Sequence, residues 1–261
     1  MMRLTRVLTR VLTMSTLALL LSAAPAVADL PATVTKIKPS IVAVGTYMAL
    51  RATQKQPRGT GFVVGGRHVV TNSHVTAVKL DQGRRETLAV YLPAPNDRIE
   101  MRPATLVADD PRHDLALLRF EGARLPSLTL GRSDDVREGE AAAFTGFPIL
   151  NALGLHPATH RALIAAISPV AIPAASGRQL NPTMIERLSN PFDVFQLDAV
   201  AYPGNSGSPL YELDTGRVIG VINSVFVKET KESAISAPSG ISYAIPVDHV
   251  RTLLQKAGVR P

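Results

Sequence analysis

Apolar residues in this chain fall mostly in short runs rich in Val, Ile and Leu, broken by Gly, Pro, Asn and Asp. Such runs occupy Ile41–Tyr47, 59–64, His68–Thr71, 87–92, Leu115–Phe120, 141–147, 194–197, 218–227 and 241–245. Short β-branched runs between turn residues predict the antiparallel strands of a sandwich or barrel. Strands do not alternate with long helical patterns, which disfavours a parallel α/β sheet. The clearest helical period is at the C-terminus. Pro246 opens it, Val247, Val250, Leu253 and Leu254 share one face, and Lys256 and Gly258 close it. Two polar stretches, 48–58 and 173–191, read as surface insertions, the second with a short helix predicted at 183–188. The charged stretch 132–140 reads as the connection between two groups of strands.

The first 28 residues follow a different rule. Arg3, Arg6 and Arg10 precede an apolar stretch over 11–24, and Ala26-Val27-Ala28 has the small-x-small pattern of a signal-peptidase site. The apolar core is shorter than the roughly 20 residues of a membrane span. A cleaved export signal is therefore predicted over 1–28, with an uncleaved anchor as the alternative. Cleavage leaves 29–261, enough chain for one all-β domain or two small barrels. No later run is long enough for a span, so no membrane association is expected after cleavage.

Composition narrows the chemistry. The chain has no cysteine, which excludes thiol catalysis and cysteine metal sites. An exported fold held without disulfides fits a bacterial periplasmic or secreted protein. The net charge of +7 falls to +4 once Arg3, Arg6 and Arg10 are removed. The remaining basic residues are scattered, with no basic stripe interleaved with aromatics, so nucleic acid is not an expected partner.

Three short motifs carry candidate chemistry. His74 lies in Thr71-Asn72-Ser73-His74-Val75, just after an apolar run. Asp114 immediately precedes Leu115-Ala116-Leu117-Leu118. Ser206 lies in Gly204-Asn205-Ser206-Gly207-Ser208-Pro209. None is diagnostic alone, since His and Asp commonly flank strands and Gly-rich turns are frequent. Together they stand in the order His, Asp, Ser, separated by 40 and then 92 residues. The catalytic triad of chymotrypsin has the same order, with spacings of roughly 45 and 93. The α/β-hydrolase alternative requires G-x-S-x-G and the order Ser, acid, His, but here Ser208 stands in place of the second Gly, the candidate histidine comes first, and helices between the strands are missing. The remaining histidines read as structural. His68 is expected on a strand surface, His113 pointing away from Asp114, and His249 on the surface or in packing. His156 and His160 are four apart, but Pro157 interrupts a continuous helix, so no metal site is expected. No phosphate loop or dinucleotide fingerprint is present, and no cofactor is implied.

With those motifs, the chain resembles the trypsin-like serine peptidases, and among them most closely the HtrA-type bacterial proteases. The stretches that carry the resemblance are Gly59-Thr60-Gly61-Phe62-Val63-Val64, Val69-Val70-Thr71-Asn72-Ser73-His74-Val75, Asp114-Leu115-Ala116-Leu117-Leu118, Pro203 to Leu210, and Gly240-Ile241-Ser242-Tyr243-Ala244-Ile245-Pro246. Ser208 departs from the family's usual Gly, and Ser-Gly-Ser-Pro is similar to the glutamyl-endopeptidase branch. The chain also stops too soon for the PDZ module that usually follows the HtrA-type catalytic domain.

The resemblance implies two six-stranded antiparallel β-barrels with a C-terminal helix. The first barrel would cover about 38–130, the second about 138–246 and the helix 247–257. It implies an endopeptidase acting on protein or peptide substrates, with Ser206 as nucleophile, His74 as base and Asp114 as orienter, and the Gly204 and Ser206 N–H groups as oxyanion hole. A pseudoprotease that only binds peptides is the alternative of another class, and an exported surface-adhesion domain is a third. The implied primary pocket is walled by Val200 and Ala201 and by Asn223, Ser224 and Val225. Val200 and Ala201 are not acidic, and the second wall holds no histidine. Small or medium apolar side chains are therefore expected before the cleaved bond. Asn205 stands where proteases activated by cleavage carry an Asp that pairs with the new N-terminus, so activation of that kind is not expected. Ordering of loop 173–191 is the candidate alternative. A trimer is the family's habit, and a monomer is equally compatible with the short N-terminal segment.

Overall fold

The structure, a computed structural model, describes residues 29–94, 96, 98–170, 190–223 and 240–260. The first 28 residues, most of the 173–191 stretch, Ser224 and Val225 lie outside the described residues.

Twelve strands form two closed antiparallel barrels. The first contains β1 (Ile41–Tyr47), β2 (Lys55–Val64), β3 (His68–Thr71), β4 (Thr87–Ala94), β5 (Arg98–Asp110) and β6 (Leu115–Phe120), in the order β1-β2-β3-β6-β5-β4. The second contains β7 (Ala141–Gly146), β8 (Ala158–Pro169), β9 (Asp193–Asp198), β10 (Pro209–Glu212), β11 (Val218–Asn223) and β12 (Ile241–Pro246), in the order β10-β11-β12-β9-β8-β7. Among the described residues four α-helices accompany them: α1 (Leu30–Ile37), α2 (Ser73–Thr76), α3 (Leu150–Leu153) and α4 (Val247–Lys256). Among the described residues no helix is long and apolar enough to cross a membrane.

The continuous apolar runs have a direct cause. Successive residues of a strand point to opposite faces, and here both faces are covered. Val42 and Val44 enter a cluster with Val63, Val69, Leu118 and Phe120, all from the first barrel. Ala43, between them, joins a cluster that spans both barrels and includes Phe62, Leu117, Phe147, Tyr211 and Val221. Phe144, Ile164, Phe195, Leu210 and Ile222 form the corresponding cluster of the second barrel.

Helix α4 ties the barrels together. Its face of Val247, Val250, Leu253 and Leu254 is buried in the shared cluster. Its first turn exchanges hydrogen bonds with the inter-barrel connection: Ser133 N–H donates to Asp248 Oδ2 at 2.9 Å, and Asp248 N–H donates to Ser133 Oγ at 3.0 Å.

Some elements differ from expectation for identifiable reasons. The stretch 48–58 is only partly an insertion, because β2 begins at Lys55 and pairs with β1 through a register shift between Val44 and Gly45. Strand β5 is mostly exposed, and its one short apolar stretch, Leu106-Val107-Ala108, lies between polar and charged residues. Strand β8 is rich in alanine, which has weak β preference. Helix α1 contains β-branched Thr33, Val34 and Thr35, but Asp29 caps it by accepting from Ala32 N–H at 3.2 Å, and Pro31 sits in its first turn. His68 is half-buried rather than on the strand surface, and desolvation together with Arg119 and Arg124 lowers its pKa.

Candidate active site

His74 and Asp114 both come from the first barrel. Asn72 ends the chain's exit from β3 and stands as N-cap of α2, a single turn that carries His74. Asp114 is the turn residue immediately before β6 and has a φ of 54°, a left-handed conformation that Asp tolerates better than most residues. Asn72 Nδ2 donates to the Asp114 carbonyl at 2.9 Å and so fixes this turn against α2.

The Asp114 carboxylate grips His74 twice. One oxygen, Oδ1, accepts from His74 N–H at 2.9 Å, and the other, Oδ2, lies 2.7 Å from His74 Nδ1. An ionised carboxylate can only accept, so Nδ1 is the protonated nitrogen of the neutral ring and Nε2 keeps its lone pair. That is the tautomer of a general base. The Asp114 side chain is 10% exposed and the His74 side chain 32%, so the acid is shielded while the ring remains accessible.

Oδ2 also accepts from Asn223 Nδ2 at 2.6 Å. Asn223, expected in the pocket wall, is fully buried at the end of β11, with its amide on the carboxylate of the other barrel. The sequence pattern did not single it out for this, because the pairing spans 109 residues.

Ser206 belongs to a turn between Tyr202 and Pro209 whose backbone is held group by group. The N–H groups of Asn205, Gly207 and Ser208 donate to the carbonyls of Tyr202, Ile222 and Asn205, each at 2.9 Å. The Pro203 carbonyl accepts from Ile149 N–H at 2.7 Å, and the Ser206 carbonyl accepts from Thr60 N–H at 2.8 Å. Gly204 has a φ of 101°, and a Cβ there would stand 2.3 Å from the Phe147 carbonyl, so only glycine fits. Ser206 is 4% exposed and Asn205 fully buried. The turn meets the histidine helix at Gly59, where a Cβ would lie 2.7 Å from Val75 and 3.0 Å from the Ser206 carbonyl.

Ser208 is accommodated by Gly146. A Cβ on Gly146 would lie 1.9 Å from Ser208 Oγ, so the serine occupies space a side chain on β7 would need.

Val200, Ala201 and Tyr202 are half-buried in the segment before the turn. Ser242 on β12 holds that segment, accepting from Ala201 N–H at 2.8 Å and donating to the Ala199 carbonyl at 2.7 Å. The other histidines pack elsewhere. His160 stacks on Phe144 with centroids 4.8 Å apart. His113 turns to Asp110 at 2.7 Å and stacks on His249 at 4.0 Å.

Residues 59–221 match the family model described as a trypsin-like peptidase domain. The chain is 32% identical over 196 residues to a probable periplasmic serine endoprotease DegP-like of Halomonas elongata, covering 75% of this chain and 34% of that protein. It is 36% identical over 200 residues to the mitochondrial serine protease HTRA2 of Bos taurus, covering 76% and 36%. The chain thus spans about a third of the length of the curated relatives it matches. Among solved structures it is similar to the HtrA-type protease AlgW with tripeptide, at a TM-score of 0.61 and 26% identity, covering 87% of this chain and 63% of that one.

Proposed function

Because the chain belongs to the trypsin-like peptidase family, we propose that it is a serine endopeptidase that cleaves protein or peptide substrates through a Ser206–His74–Asp114 triad. The observation that carries this reading is the double contact between Asp114 and His74, which leaves Nε2 as the ring's proton acceptor.

Ser206 Oγ attacks the substrate carbonyl carbon while His74 Nε2 takes its proton. The carbonyl π electrons move to oxygen, and the Gly204 and Ser206 N–H groups stabilise that oxyanion. Collapse breaks the C–N bond, and the amine leaves with the proton from His74. Water then attacks the acyl-enzyme with His74 again as base, which releases the acid and restores Ser206. Asp114 holds the tautomer and stabilises the imidazolium throughout.

Val200 and Ala201 beside the turn support small or medium apolar side chains before the cleaved bond. The basic and apolar N-terminal segment, with relatives named periplasmic, supports export to the periplasm or medium and cleavage after Ala28. N-terminal sequencing of exported protein should begin at Asp29, and a start at Met1 or Met2 would contradict that part. The enzymatic reading is tested by incubating an unfolded model protein with the wild type and with Ser206→Ala. Fragmentation by the wild type alone is expected; no fragmentation by either would overturn it.

A further inference from the structure

We infer that Thr60, on β2 of the first barrel, is the positioning residue that fixes the oxyanion-binding turn of the second barrel through its side-chain hydroxyl. This rests on the proposed serine endopeptidase reading and adds a residue to it.

Thr60 is fully buried, and each of its polar groups is engaged around the turn. Its N–H donates to the Ser206 carbonyl at 2.8 Å. Its carbonyl accepts from Thr71 Oγ1 at 2.7 Å. Its hydroxyl donates to the Gly204 carbonyl at 2.7 Å and accepts from Phe147 N–H at 3.0 Å. One side chain therefore joins the nucleophile turn to the end of β7. Its neighbours are stripped to allow this approach: a Cβ on Gly207 would stand 2.0 Å from the Thr60 carbonyl, and one on Gly146 2.9 Å from the hydroxyl.

The consequence follows from peptide geometry. In a trans peptide the N–H points opposite to the carbonyl, so holding a carbonyl also aims the next residue's N–H. Ile149 holds the Pro203 carbonyl and thereby aims Gly204 N–H away from itself. Thr60 Oγ1 holds the Gly204 carbonyl, and the opposite side of that peptide, Asn205 N–H, meets the Tyr202 carbonyl at 2.9 Å. Rotating the Pro203–Gly204 peptide breaks no covalent bond and would bring the Pro203 carbonyl where the Gly204 donor is required, and rotating the Gly204–Asn205 peptide would free the backbone on which that donor stands. Gly204 offers little intrinsic resistance to such rotation. The hydroxyl of Thr60 supplies that resistance, and Thr60 N–H holds the far side of the turn through the Ser206 carbonyl.

The test compares Thr60→Val, which keeps the shape and removes the hydroxyl, with Thr60→Ser, which keeps the hydroxyl, both in the full chain. Steady-state cleavage of a peptide substrate is measured beside inhibition by a peptide boronic acid, whose tetrahedral adduct occupies the oxyanion hole, and by the matching product peptide. Thr60→Val should lower kcat by about 10- to 100-fold, below the roughly 10²–10³ for deleting an oxyanion donor outright. KM and product affinity should stay near wild type, boronate affinity should fall in parallel with kcat, and Thr60→Ser should restore most of the loss. Unchanged kcat in Thr60→Val would overturn the inference. So would equal losses for boronate and product, or loss of cooperative unfolding in both Thr60→Val and Thr60→Ala, which would make the residue structural. An inactive wild type would instead remove the enzymatic premise.

Discussion

Asn223 Nδ2 donates to Asp114 Oδ2 at 2.6 Å, so the acid of the first barrel is completed by an amide from the second. With the two contacts from His74, the buried carboxylate accepts three hydrogen bonds across its two oxygens. Asn223→Ala removes one and leaves a charged group less satisfied, an effect of about 1–3 kcal/mol for a buried partner. The expected result is a fall in kcat/KM of about tenfold or more, read from initial rates. Asn223→Asp should lose more, because it sets a second carboxylate against the first. Equal activity in all three proteins would contradict the assignment.

Asp114→Asn keeps the shape at this position but offers an amide to His74 Nδ1, which favours the wrong tautomer. The same substitution in the chymotrypsin-type triad lowers kcat about 10⁴-fold. By that precedent a fall of about 10³–10⁴ is expected here, with the thermal unfolding transition retained.

Gly146 and Ser208 should show compensation. Gly146→Ala brings a methyl group to 1.9 Å from Ser208 Oγ, forcing movement in the Ser206 turn. Loss of activity and a lower Tm are expected for the single variant. Adding Ser208→Gly removes the nearest obstacle and should recover part of both, although Thr60 Oγ1 and Asn205 Oδ1 remain at 2.9 and 3.1 Å. A double variant no better than Gly146→Ala would contradict the packing.

Acid stability should depend on His249. Its ring is stacked against His113 and meets the edge of Phe192. Burial first, and then the His113 charge, lower its pKa to about 4, with Arg112 adding to the fall and Asp110 and Asp248 opposing it. The unfolded chain, near the ordinary value of 6.5, therefore binds the proton more readily than the folded one. Stability from this residue is present above about pH 6.5 and is lost as pH falls toward 4. His249→Phe keeps a ring and removes the titration, so its Tm should drop less than the wild type's between pH 7 and pH 4.5. Parallel drops would refute the linkage.

Much of the fold was legible because both faces of most strands are buried. β1, β6 and β11 read as continuous apolar runs and lie near where the pattern predicts them. β5 and β8 escaped because exposure and alanine content erase that pattern. His74, Asp114 and Ser206 stand out as candidates through order and spacing, which a sequence preserves. The links from Thr60 to Gly204 and from Asn223 to Asp114 were not, because they join positions 144 and 109 residues apart. Only closure of the barrels brings such pairs together.

The central claim is most directly tested by treating the protein with a fluorophosphonate and mapping the adduct by mass spectrometry, beside His74→Ala. A single adduct on Ser206 in the wild type, lost or greatly slowed in the variant, is the predicted result. A folded wild type that gains no adduct, or gains it on a different residue, would contradict the account.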